Sequence, residues 1–143
     1  MAALKINLED FIMALTFGSG SALGEITNFL DTDTGDIVLA GDGVDEELIP
    51  PDLEDNPRYR EIEPIKSSEE FRIMEDFVES LGNTAAAQRL SDTLSQPKPF
   101  RRFKDALFDV PALRESWFAF ELAEHTRLAN AWCEQQGITA EWT

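Results

Sequence analysis

The side chains that could do covalent chemistry are few in this sequence, and their spacing does not suit it. His125 is the single histidine and Cys133 the single cysteine. On a helix they stand about two turns apart, roughly 12 Å along the axis, which is too far for the hydrogen bond of a Cys–His nucleophile. No G-x-S-x-G elbow, glycine-rich phosphate loop or H-E-x-x-H pair occurs. Asp31, Asp33 and Asp36 are calcium-ligand types, but a calcium loop needs glycine sixth and a bidentate acid twelfth. Counted from Asp31, Gly35 comes fifth and Asp42 twelfth, so the segment reads as a turn. Catalytic residues, a cofactor and a bound metal are therefore not expected.

Another chemistry is carried by PKPFRRFKDAL, Pro97 to Leu107, the one dense basic cluster. Arginines beside phenylalanines can bind single-stranded RNA, with bases stacked on rings and phosphates met by guanidinium groups. Here Phe100, Phe103 and Leu107 fall at i, i+3 and i+7, a face that turns inward, and a buried ring cannot stack on a base. The arginines are expected to pair with nearby carboxylates. Arg101, Arg102 and Lys104 on the outer side are the candidate partner-binding residues. Trp117, Phe120 and Trp132 read as core.

The elements positioning these residues must fit in 143 residues, the size of one domain, with 43% hydrophobic residues and ten phenylalanines. No apolar run approaches the roughly 20 residues of a membrane span. MAALKINLEDF lacks the apolar core of a secretory signal. A lone cysteine supports neither an internal disulfide nor a usual zinc site. The reading is a cytoplasmic protein. Its net charge is −16; residues 1–66 carry 4 basic and 15 acidic side chains, and residues 67–143 carry 8 and 13. Such a field repels nucleic acid and favours solubility or a basic partner.

Along the chain, Asn7 suits the cap of a helix whose Leu8, Phe11, Ile12 and Leu15 form one stripe, stopped by Gly18 and Gly20. Residues 25–31 and 36–40 alternate as a hairpin about Thr32–Gly35, with the glycine left-handed. Tyr59–Ile65 is a third strand, with Pro64 at an edge or end. Gly41–Pro57 between them is an acidic surface loop, pinned by Leu48 and Ile49. Ser67 and Glu70 form a capping box for a helix that buries Phe71, Met74, Phe77, Val78 and Leu81 and ends at Gly82. Asn83 caps a third helix with Ala86, Leu90 and Leu94 inward. Asp109, with Pro111 in the first turn, opens a long last helix ended by Gly137. That helix carries two apolar stripes, Leu113, Trp117, Phe120, Leu128 and Phe118, Leu122, Ala129, Cys133.

FLDTDTGDIV, RYREIEPI, FRIMEDFVES, PFRRFKDAL and RESWFAFE…WCEQQGI, in that order from about Gly24 onward, resemble a bacterial group known as Uncharacterised Protein Family 0158. The resemblance implies no activity, cofactor or catalytic residue.

The expected fold is a single α+β domain over residues 1–143, with about three antiparallel strands and about five helices. Its parts are an N-terminal helix and loop (1–23), a sheet with the acidic loop (24–66) and a helical part (67–143). The expected function is non-catalytic, binding or regulation through a protein partner, with no membrane contact. One rival is a hydrolase or transferase with a carboxylate site between sheet and acidic loop, which needs a deep polar pocket with inward-facing acids. The other is an RNA-associated protein using Arg101, Arg102 and Lys104, which needs arginines free of carboxylates.

Overall fold

The computed structural model describes residues 3–16 and 26–143, so the stop expected at Gly18 and Gly20 lies outside the described residues. The fold is mixed α+β, with five helices, a three-stranded antiparallel sheet and a two-stranded parallel one among the described residues. The chain divides into two compact units, one of residues 1–65 with 125–143 and one of residues 66–124. Among the described residues no helix is long and apolar enough to cross a membrane.

The first unit begins with β1 (Leu4–Ile6) and α1 (Leu8–Thr16). Asn7 caps α1 as its type predicts, accepting the Asp10 N–H at 3.0 Å. The hairpin of β2 (Ile26–Asp31) and β3 (Ile37–Gly41) pairs Asn28 with Leu39 and Leu30 with Ile37. β4 (Tyr59–Ile62) lies on the other side of β2, so β2 is central. Pro64 falls just past β4, where its missing N–H costs the ladder nothing. One face of this sheet presents Leu30 and Ile62 to a core with Ile6, Phe11, Ala14, Leu15, Ala129 and Cys133. β5 (Ala140–Trp142) closes the chain by pairing in parallel with β1. Strands of three residues are too short to show a period, and neither β1 nor β5 was expected.

The acidic loop departs from expectation in its anchor. Leu48 ends a 3-10 turn over Glu46–Leu48 and is 73% exposed, whereas Leu53 is buried. Asp45 caps that turn by accepting the Glu47 N–H, which holds Leu48 outward.

Where the loop ends, it is tied to the hairpin. Arg58 donates from Nε and Nη2 to the two oxygens of Asp31, each at 2.7 Å, a bidentate fork. The Asp33 N–H adds a third bond to Asp31 at 2.9 Å. Thr32 reaches the Arg58 carbonyl from both its N–H and its hydroxyl. The Asp31–Asp36 region is thus a turn, as its residues predict, with Gly35 at φ 82°. The Arg58 hydrogen bonds, opposed by burial, lower the Asp31 pKa from 3.8 to about 2.

The second unit holds α2 (Ser67–Ser80), α3 (Ala85–Leu94), α4 (Pro99–Phe108) and the first half of α5 (Pro111–Gln135). Its caps sit one residue away from those expected. Lys66, not Ser67, occupies the cap of α2, without a side-chain bond, so no capping box forms. Thr84, not Asn83, caps α3 by accepting the Ala87 N–H at 3.1 Å. Asp109 ends α4 rather than opening α5, and its carboxylate takes Arg89. Ile73 is buried beside Met74 and Phe77, while Ala87 replaces Ala86 on the inner face of α3.

Four rings make the centre of this unit. Phe77, Phe103, Trp117 and Phe120 lie with centroids 5.0 to 6.5 Å apart, mostly edge to face. That arrangement sets the positive edge of one ring against the negative face of the next. Phe103 and Trp117 are at most 2% exposed.

Two outcomes test these centres. Phe103→Ala should lower stability by about 3–5 kcal/mol in urea denaturation, while Phe108→Ala, whose side chain is exposed, should stay within about 0.5 kcal/mol. For Asp31 the folded pKa is depressed, so its contribution is full above the unfolded value of 3.8 and lost as pH falls toward about 2. Asp31→Asn should cost about 2 kcal/mol at neutral pH. Its unfolding midpoint should also fall less steeply than the parent's between those pH values; parallel curves would refute the fork as the source.

Candidate functional site

Pro97 and Pro99 fix where α4 starts. Lys98 between them takes a left-handed conformation, φ 56°, although a residue before proline ordinarily prefers extended backbone. From there the helix turns Phe103, Ala106 and Leu107 inward. Phe100 is half-buried with its ring 6.3 Å from that of Phe71. Neither Phe100 nor Phe103 is a free stacking platform, in line with their spacing.

The outer side divides the three basic residues. Arg101, Lys104 and Phe108 fall at i, i+3 and i+7 and share one face. Arg102 points about 100° away and donates from Nε to the Pro97 carbonyl at 2.7 Å, which ties it to the start of its own helix. The expected carboxylate partners are missing: among the described residues none of the three is in an ion pair. Three acids of this unit pair elsewhere, Asp109 with Arg89 and Glu69 and Asp76 with Arg72.

Beside Lys104 and Phe108 a hollow of about 230 Å³ opens between α4 and α5, bounded by Arg114, Phe118 and Glu121. Phe108 is 65% and Phe118 56% exposed, and the Arg114 guanidinium lies 5.3 Å over the Phe108 ring. This corrects the expected second stripe of the last helix, because Phe118 and Leu122 face solvent while Ala129 and Cys133 are buried. Exposed rings set among three cations can grip a ligand that is both apolar and anionic. Sequence reasoning reached Lys104 and missed Phe108, Arg114 and Phe118; the i, i+3, i+7 line from Arg101 to Phe108 was the available signal.

His125 and Cys133 are both buried on α5. Burial pushes the Cys133 thiol up to about 11, so it stays protonated and unreactive at neutral pH. A hollow of about 530 Å³ does lie between the sheet and the acidic loop, lined by Phe29, Leu53, Tyr59, Glu54 and Glu61. Both glutamates are exposed rather than turned inward. Within the second unit Glu70 and Glu121 bring carboxylate oxygens within 4.8 Å of each other, a pairing that helix periodicity alone does not show.

Comparison with known proteins places these features in a group without an assigned activity. A curated relative, UPF0158 protein PA5073 of Pseudomonas aeruginosa, is 26% identical over 139 residues, which is 96% of this chain and 87% of the relative. No solved structure matches. Residues 1–141 match the family described as Uncharacterised protein family (UPF0158), and the chain belongs to it.

Proposed function

We propose that this is a non-catalytic binding or regulatory protein of the cytoplasm, acting through a protein partner that docks on the basic and aromatic face of α4 and α5. The observation that carries the reading is the hollow at Lys104, Phe108, Arg114 and Phe118, with Arg101 in line and no carboxylate paired to Arg101 or Lys104. Exposed rings gain from burial and the cations beside them gain from opposite charge, so an acidic, apolar protein segment suits this face. A lone buried thiol suits a reducing compartment.

Free cations also suit RNA, and the exposed rings could stack on bases. The net charge of −16 acts against that reading, since a long phosphate backbone experiences the field of the whole protein.

Capture from native lysate by immobilised protein, run beside oligonucleotide anisotropy, tests the choice. Lys104→Glu and Phe118→Ala should each reduce capture of the partner roughly tenfold or more while leaving the urea midpoint nearly unchanged. Capture that survives both substitutions refutes the face. Micromolar oligonucleotide binding that weakens as salt is raised replaces the protein partner with nucleic acid.

A further inference from the structure

The strongest unexplained feature of the first unit is a buried carboxamide. Asn28 is in the central strand β2, where asparagine is a poor strand former, and only 5% of it is exposed. Its backbone is paired on both sides, to Leu39 and Ile62. Its side chain has no hydrogen-bond partner among the described residues. Among the described residues no fully enclosed side-chain nitrogen or oxygen lacks a partner, so the carboxamide must reach open space. That space is a groove of about 800 Å³ between α1 and the hairpin, lined by Asn28 with Met13, Ala14, Ile26, Ile37 and Leu39.

Those five side chains are apolar, and the other carboxamide at the groove, Asn7, is engaged as the cap of α1, so Asn28 among them has the setting of a small-molecule site. A leucine at position 28 would fill similar volume and add apolar burial where the asparagine places a solvated amide, so the asparagine sacrifices stability here. A primary carboxamide offers one donor beside one acceptor, which matches the edge of an amide, a lactam or a nucleobase. The charged residues at the groove are Lys5, Asp10 and Asp36, one cation against two acids, in a protein of net charge −16. An anionic ligand is disfavoured by that balance.

We propose that the groove binds an uncharged, mostly apolar small molecule of the nucleobase or aromatic carboxamide class, its amide-type edge hydrogen-bonded to Asn28. The site shares no residue with the face of α4 and α5 and goes beyond the partner-binding reading; the capture variants leave it untouched.

The test is heteronuclear NMR of the Asn28 side-chain amide, titrated with adenosine, nicotinamide and adenosine monophosphate at millimolar concentrations. Adenosine or nicotinamide should move that resonance saturably, and the monophosphate should bind roughly tenfold more weakly than adenosine. Asn28→Leu should raise the unfolding midpoint and abolish the response of the neighbouring Leu39 and Met13 signals. Leu39→Glu, at an exposed edge position that tolerates charge, should weaken binding without unfolding the protein. Failure of both neutral probes to move Asn28, equal binding of the monophosphate, or a lower midpoint for Asn28→Leu would each overturn the proposal.

Discussion

The fork between Asp31 and Arg58 is the constraint on which the first unit depends. A guanidinium and a carboxylate meeting in two parallel hydrogen bonds fix distance and orientation together, which a single ion pair cannot do. Because Asp31 ends β2 and Arg58 directly precedes β4, the fork sets which residues of those strands face each other. One residue of slip would turn Ile62 out of the core and Glu61 into it. The same turn holds Gly35, where a Cβ would stand 1.9 Å from the Lys5 carbonyl oxygen, closer than any real contact. The hairpin can approach β1 so tightly only because that position has no side chain, and β1 in turn templates β5.

In the second unit the comparable organising element is the aromatic quartet. Phe77 touches all three other rings, which come from two more helices, so it orients α2, α4 and α5 at once. Once Phe103 is fixed inward, helix geometry alone decides the rest of α4. Arg101, Lys104 and Phe108 must lie together on the far side, and Arg102 must lie between. The candidate face is therefore a consequence of core packing, and a substitution in the quartet would disturb the face as well.

Much of this was legible in the sequence because it is periodic or local. The hairpin, its left-handed glycine, the Asn7 cap and the inward set of Phe103 and Leu107 all follow from spacing within a few residues. The failures are of two physical kinds. Some are competitions between adjacent residues of similar chemistry, as when Thr84 rather than Asn83 takes the cap, or Leu53 rather than Leu48 is buried. The others depend on partners distant in the chain: Arg58 with Asp31, β1 with β5, and the rings that cover Trp117 but leave Phe118 bare. An apolar residue on a long helix is read as core by default, and only the neighbouring helix decides whether it is.

Charge distribution explains how a basic face can be selective on so acidic a chain. Salt screens charges beyond about 8 Å at physiological ionic strength, so the remote acids of the same protein act weakly on a short ligand. A ligand segment confined to the hollow therefore feels mainly Lys104, Arg114, Arg101, the exposed rings and the one carboxylate at its boundary, Glu121. A polyanion extending past the hollow crosses many screening lengths and meets the acids that make up the net −16. On the proposed reading the face would discriminate by length as well as by sign, favouring a compact acidic and apolar patch over a long phosphate chain. Exposed Phe108 and Phe118 sharpen this, because their burial is gained only by a partner with apolar side chains between its carboxylates.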